Sequence, residues 1–265
     1  MIDLHVHLLP GVDDGPGTWA EALELCRQLV GQGVTGAFAT PHFVPGRYPE
    51  TGRVLELVQD LNKRLCSLDC ALTVYPGAEA YLDSELPRLV ASGTIPTLDN
   101  ARRYLLLELP FEEIPSCTEN VLFSLLLDGI TPILAHPERN ARLREDPALL
   151  ATLVERGALV QINTGSLTGE FGSRVQKLAE ELARQGLVHF MGSDAHCPRK
   201  RPPLWPAALL RLEELAGAEA AQVITCINPE AVLAGDEIVF PGHGPGPVSG
   251  RSNFWGRALA KLRRR

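Results

Sequence analysis

The sequence predicts a parallel α/β fold, and three observations carry the prediction. Seven short apolar segments recur at intervals of roughly 25–40 residues. They are nearly continuous runs of aliphatic and β-branched residues, as strands buried on both faces require. Between them lie amphipathic stretches with helical spacing, most of them followed closely by a glycine that can stop a helix.

The elements follow in order. Residues 2–7 form the first expected strand, and residues 19–32 the first helix, with Ala22, Leu25, Cys26, Leu29 and Val30 on one stripe and Gly33 beyond it. Strands are expected at 35–40, 72–77, 104–109, 131–136, 158–163 and 187–193, and helices at 54–68, 117–127, 147–156 and 174–184. Gly129, Gly157 and Gly186 follow three of these helices. Strands alternating with helices fit either a closed barrel of about seven strands or a doubly wound open sheet. No G-x-G-x-x-G follows a strand and no G-x-x-x-x-G-K-[ST] occurs, so dinucleotide and P-loop chemistry lose their main support. Residues 1–235 read as one domain, and 236–265 as a Gly/Pro-rich linker with a basic tail.

Composition narrows the class. Of 265 residues, 25 are basic and 32 acidic, for a net charge of -7, which argues against a nucleic-acid partner. The charge is unevenly placed. Residues 251–265 carry six basic side chains and no acid, leaving -13 on the first 250 residues. That tail has apolar residues (Phe254, Trp255, Ala258, Leu259, Leu262) at helical spacing, so a peripheral contact with an anionic membrane is one expectation, against a solvated tail or one docked on the acidic barrel. The chain opens on Met1-Ile2-Asp3-Leu4-His5 without a leader pattern, its six cysteines contain no C-x-x-C pair, and the cytoplasm is the expected compartment.

Chemistry is concentrated at the strand ends. They carry His5-Val6-His7, Pro41-His42, Ala78-Glu79, Glu108-Leu109, His136-Pro137 and Asp194-Ala195-His196, while the sixth strand ends in Gln161-Ile162-Asn163. In α/β barrels these ends build the active site. His5 and His7, two apart in a strand, point to one face. Five histidines with several carboxylates make a mixed N/O set suited to Mn, Fe, Zn or Co, too many ligands for one structural ion. Closely spaced ions suit in-line phosphoryl displacement. A cysteine phosphatase needs Arg six residues after its Cys, and here those positions hold Gln32, Leu72, Pro76, Phe123, Pro203 and Val232. His189 reads as a packed strand residue, and His243 lies in the linker.

The run from Met1 to Gly15 (MIDLHVHLLPGVDDG) resembles the opening of the bacterial PHP-type (polymerase and histidinol phosphatase) metal-dependent tyrosine-protein phosphatases of the CpsB/CapC/YwqE type. The resemblance continues through Ala39-Thr40-Pro41-His42, Gly77-Ala78-Glu79, Leu107-Glu108-Leu109-Pro110, Leu134-Ala135-His136-Pro137-Glu138-Arg139, Gln161-Ile162-Asn163 and Gly192-Ser193-Asp194-Ala195-His196. It implies a distorted (β/α)7 TIM-like barrel with three divalent ions, manganese first among them. The implied ligands are His5, His7, Asp14, His42, Glu79, Glu108, His136, Asp194 and His196, with Asp13 competing for the place of Asp14. Glu79 or Glu108 would bridge two ions, and Asp14, His42 and His196 would hold the third. Arg139 and Arg201 would bind the phosphoryl group, although Arg199 and Lys200 compete with Arg201, and a surface ion pair with Glu138 or Glu145 competes for Arg139.

The implied reaction is hydrolysis of a phosphotyrosine ester by a metal-bridging hydroxide, without a phosphoenzyme. The implied substrate is the tail of a bacterial tyrosine kinase of capsule or exopolysaccharide biosynthesis. A small-molecule phosphatase such as histidinol phosphatase, or a non-catalytic PHP scaffold, are the alternatives.

Overall fold

The computed structural model describes residues 1–44, 46–47 and 49–240. The linker from 241, the basic tail and His243 lie outside the described residues.

Nine strand segments are present among the described residues: β1 (Ile2–Val6), β2 (Gly36–Ala39), β3 (His42–Phe43), β4 (Thr73–Pro76), β5 (Glu79–Tyr81), β6 (Tyr104–Glu108), β7 (Thr131–Ala135), β8 (Leu159–Asn163) and β9 (Phe190–Gly192). The seven expected strands are present within their expected spans, and two short segments are added, β3 and β5, which lie past the expected ends at 40 and 77, each beyond a proline. Pro41 separates β2 from β3, and Pro76 closes β4 ahead of β5. Proline has no amide proton for a ladder, so pairing lapses there. It resumes one step on, where the Glu79 amide donates to the Pro41 carbonyl at 3.0 Å and His42 pairs with Glu79.

All pairings between strands are parallel, in the orders β1-β2-β4 and β3-β5-β6-β7-β8-β9. The ring closes between β9 and β1. A bridge joins Val6 to Ala195, the His7 amide donates to Ala195 O at 3.0 Å, and the Asp194 amide donates to His5 O at 2.7 Å. Seven staves therefore form a distorted barrel, and the open-sheet alternative falls. Asp3 braces the seam. Its buried carboxylate accepts from the His5 amide at 3.1 Å, the Ser193 amide at 2.9 Å and Trp205 Nε1 at 3.1 Å.

Two apolar layers result. Helices such as Trp19–Gly31 and Thr51–Ser67 pack their buried stripes against the outward side chains of the strands, among them Leu105, Leu107, Leu134, Val160 and Met191. The inward set fills the lower barrel with Ile2, Leu4, Phe38, Tyr104, Leu106, Ile133, Leu159 and Phe190. Alternation carries this inward parity up the staves: Tyr104, Leu106 and Glu108 share one face of β6, and Leu159, Gln161 and Asn163 one face of β8. β1 departs from it. Its register with β2 shifts between Asp3 and Val6. Below the shift the even residues Ile2 and Leu4 join the inner core, whereas above it Val6 joins the outer one. His5 and His7 thereby face inward. A bulge that inverts the parity lets one strand supply both an apolar floor and a polar rim.

His189 is packed, as the sequence suggests. It is fully buried, its Nδ1 accepts from the Val160 amide at 3.1 Å, and burial pushes its pKa down to about 3. The unfolded chain therefore binds a proton that the folded one refuses between about pH 6.5 and 3. Stability should fall as pH drops through that window, by up to about 1.4 kcal/mol per pH unit. Urea denaturation of His189→Gln across the same range should show a flatter slope; an unchanged slope would assign the acid lability elsewhere.

Candidate metal centre

The rim of the barrel gathers all nine expected ligands. Ligand atoms within 4.8 Å of one another define four overlapping groups: His7, Asp14, His42 and His196; His5, Glu79 and His136; His5, His7 and Asp194; His42, Glu79 and Glu108. His5, His42, Glu79 and Glu108 stand on strands, His7 and His196 follow strand ends and Asp14 sits in the loop after β1, while two others need an unusual backbone. His136 has φ 32° and Asp194 φ 52°, left-handed values that bulky residues seldom adopt. Each turns its side chain inward just beyond the end of its strand. Such strain clusters at functional sites. Gly192 matters for a different reason, since a Cβ there would stand 2.6 Å from the His5 Cβ.

Hydrogen bonds fix which ring nitrogens face the centre. Gln161 Nε2 donates to Ile162 O at 2.7 Å and to Asn163 Oδ1 at 2.9 Å, so Oε1 is the atom 3.0 Å from His5 Nδ1. His5 must then carry its proton on Nδ1. His7 Nδ1 donates to Asp13 Oδ2 at 2.6 Å, and His196 Nδ1 to the Asp194 carbonyl at 2.9 Å. The Nε2 lone pairs of His5 and His7 consequently meet head-on, 3.3 Å apart. Glu79 Oε2 lies 3.3 Å from His5 Nε2, 3.5 Å from His7 Nε2 and 2.8 Å from His42 Nδ1, while Oε1 is 2.8 Å from His136 Nε2. Asp194 Oδ1 is 3.5 and 3.6 Å from the same two Nε2 atoms of His5 and His7.

This geometry calls for positive charge. Burial opposes the charged forms of His5 and His7, yet Glu79 and Asp194 around His5, and Asp13 beside His7, outweigh it and raise both pKa values. Burial likewise opposes ionised Glu79 and Asp194, but surrounding imidazoles, and Arg201 for Asp194, hold both carboxyls well below their ordinary range. Burial and the charge of Glu79 raise Glu108. Glu79 Oε2 and His42 Nδ1 are moreover buried and, although 2.8 Å apart, are not aligned for a hydrogen bond. Divalent cations would satisfy these atoms and displace the protons the cluster otherwise attracts. The donor set thus fits metal ions.

The two aspartates of the Asp13-Asp14 pair play different parts. Asp13 is turned away, its carboxylate accepting from His7 Nδ1, from the Gly15 amide at 2.9 Å and from the His42 amide at 3.1 Å. Asp14 is 65% exposed at the mouth, with Oδ1 3.4 Å from His42 Nε2 and 3.3 Å from His196 Nε2. Of the basic residues after His196, Arg199 and Lys200 are exposed, and the turn from Cys197 to Arg201 brings Arg201 back over the site. Arg201 bonds to Asp194 Oδ2 and reaches His196 Nε2 at 3.2 Å, and Arg139 donates to the same Asp194 Oδ2 at 3.0 Å. The expected competitors of Arg139 are otherwise engaged: Glu138 is buried, accepting from the Asn163 amide at 2.9 Å and Ser166 Oγ at 2.6 Å, and Glu145 faces Arg142.

Three residues that brace the site had no role assigned from the sequence: Asp3, Gln161 and Asn163. Gln161 and Asn163 were visible as polar side chains two apart inside an apolar strand, the same signal that marks His5 and His7. Gln161→Leu should leave His5 Nδ1 without its acceptor and lower metal affinity about 10- to 100-fold. A competitive chelator titration measures this, and undiminished affinity would mean the His5 ring is oriented by other contacts.

Seven parallel staves with a mixed imidazole–carboxylate cluster at their carboxyl rim define the class, a metal-binding barrel of the PHP type. The family described as capsular polysaccharide synthesis, CpsB/CapC, matches residues 1–234, and the chain belongs to it. It is 40% identical over 255 residues to the tyrosine-protein phosphatase YwqE of Bacillus subtilis (strain 168), covering 96% of this chain and 99% of that protein. Crystal structures of YwqE from Bacillus subtilis and CpsB from Streptococcus pneumoniae, described as metal-dependent tyrosine phosphatases, include a chain with TM-score 0.87 and 39% identity, covering 94% of this chain and 100% of that one. A histidinol phosphate phosphatase of Lactococcus lactis, at TM-score 0.51 and 13% identity over 81% of this chain and 93% of that one, shares the fold.

Proposed function

We propose that this chain is a metal-dependent protein-tyrosine phosphatase acting on a bacterial tyrosine kinase of capsule or exopolysaccharide biosynthesis. The observation that carries the reading is the meeting, at one barrel rim, of nine imidazole and carboxylate side chains able to hold metal with two arginines. The resemblance to YwqE supports phosphotyrosine as the substrate class, and the family description supports the capsule setting. In this reading His5, His7, Asp14, His42, Glu79, Glu108, His136, Asp194 and His196 hold three divalent ions, manganese in preference to iron, zinc or cobalt. Asp14 is favoured over Asp13 because Asp13 is spent on His7 and two amides.

Such ions, when bound, acidify water at neutral pH and neutralise charge on phosphoryl oxygens. The chain's own residues do the rest. Gln161 and Asp13 keep protons on the Nδ1 atoms of His5 and His7, leaving Nε2 free to ligate. Arg139 and Arg201 present fixed donors to the equatorial oxygens of the phosphoryl group, where charge is spread in the transition state. A phenolate is a good enough leaving group that no dedicated acid is assigned.

The decisive experiment is turnover of a phosphotyrosine peptide against histidinol phosphate by the full chain loaded with manganese, with a chelator control. A marked preference for the peptide, abolished by chelation, is expected. A preference for histidinol phosphate would make it a small-molecule phosphatase, and metal-independent inertness a scaffold.

Among the described residues no helix is long and apolar enough to cross a membrane. We propose a cytoplasmic protein whose residues 251–265, with six basic side chains and apolar residues at helical spacing, make a peripheral contact with an anionic membrane, against the alternative of a solvated or docked tail. Deleting them should reduce co-sedimentation with anionic vesicles at low salt; unchanged sedimentation would remove the membrane contact.

A further inference from the structure

The two phenyl groups beside the phosphoryl-binding arginines belong to neither apolar core. The Arg139 guanidinium lies 4.6 Å from the Phe111 ring centroid and 4.4 Å from that of Phe171, and Arg201 lies 5.8 Å from Phe171. Phe111 also stacks on His136, with centroids 5.9 Å apart and planes inclined by 24°. Phe111 is 42% exposed, the only aromatic among the exposed large apolar side chains of the described residues. Phe171 is half-buried and rests on the helix Thr164–Thr168, where a Cβ at Gly165 would stand 2.9 Å from its Cε2.

Cation–π contact explains part of this arrangement, since two rings against one guanidinium hold it in place. It does not explain why Phe111 stays in solvent at the mouth of the site. We propose that Phe111 and Phe171 form an aryl subsite, receiving the phenol ring of a phosphomonoester whose phosphoryl group sits on Arg139 and Arg201. The inference rests on the phosphatase reading and deepens it by naming what selects aryl over alkyl esters. In an aryl phosphate the ring is one P–O–C linkage from the phosphorus. A group bound at Arg139 therefore carries its ring into the neighbourhood of both phenyl side chains, where edge-to-face or offset contact is favourable. An alkyl ester offers the same phosphoryl group but no ring, and gains nothing there beyond burial of a methylene.

Bracing and recognition differ in what they predict. If the rings only brace Arg139, their loss weakens every phosphoryl ligand by the same factor. If they receive the substrate ring, their loss weakens aryl ligands selectively. The test compares calorimetric binding of phenylphosphonate and methylphosphonate to the manganese-loaded full chain, wild type and the variants Phe111→Ala, Phe111→Leu and Phe171→Leu, each checked for an unaltered thermal transition. The leucine variants keep apolar bulk and guard against misfolding. Wild type should prefer phenylphosphonate, and each variant should lower that preference about five- to tenfold. The ratio of kcat/KM for a phosphotyrosine peptide over a phosphoserine peptide of the same sequence should fall with it.

Equal affinity of the wild type for the two phosphonates, or equal weakening of both in the variants, would overturn the subsite. A wild type that hydrolyses no phosphomonoester would defeat the phosphatase reading instead, while the phosphonate ratio still decides whether the rings form an aryl subsite.

Discussion

Glu79→Gln is expected to lower kcat toward a phosphotyrosine peptide by about three orders of magnitude or more and to reduce the metal bound per chain. One carboxylate here faces four imidazoles, with Oε2 toward His5, His7 and His42 and Oε1 toward His136. Glutamine keeps the shape and removes the negative charge. It also turns an NH2 group, which has no lone pair to give a cation, toward ring nitrogens prepared as ligands. Because Glu79 is shared by two of the candidate groups, its loss should affect more than one ion. Elemental analysis gives the stoichiometry, and turnover under saturating manganese separates weak binding from lost chemistry. Full metal occupancy with activity within tenfold of wild type would place the reactive centre elsewhere.

Arg139→Ala and Arg201→Ala should each cost about 10²-fold in kcat/KM while leaving metal content unchanged. Both guanidiniums sit on Asp194 Oδ2, the oxygen that also accepts from Asn163 Nδ2 at 2.6 Å, whereas Oδ1 points at His5 and His7. The arginines are thus fixed on the outer oxygen of a carboxylate whose inner oxygen faces the candidate metal ligands His5 and His7. Loss of one guanidinium leaves the other in place, so the double variant should lose less than the product of the single losses. Arg139→Lys should not rescue, because an ammonium cannot lie flat between Phe111 and Phe171 or offer a paired fork. A lysine variant with full activity, or an alanine variant that sheds its metal, would contradict these roles.

Much of this was legible in the sequence because strands have a period of two. His5-Val6-His7, and acids or imidazoles at six strand ends, announce a convergent rim once a parallel barrel is assumed. Three things lay beyond that logic. The inversion of parity within β1 depends on its register with β2, which no local pattern in residues 2–7 displays. The added segments β3 and β5 lie beyond the strands expected at 35–40 and 72–77, and two or three paired residues past a proline are too short to show a period. Phe171 reaches Arg139 from the turn after a short helix, and a lone aromatic in a turn carries no periodic signal. The choice between Asp13 and Asp14, and between Arg201 and its neighbours, likewise turns on which side chain the turn directs inward. Residue order alone does not contain that.

The shared anchorage of Arg139 and Arg201 on Asp194 bears on what happens after the reaction. If the two arginines bind a phosphoryl group as proposed, neither has to leave the carboxylate to do so: Arg139 holds Asp194 through one nitrogen, and Arg201 holds it through another while reaching His196, so further N–H donors stay open on each guanidinium. A phosphoryl group arriving at the rim would meet donors already oriented from within the barrel, with little ordering left for binding to impose. After cleavage the departing phosphate would leave both guanidiniums still paired, so the emptied rim would hold no stranded positive charge.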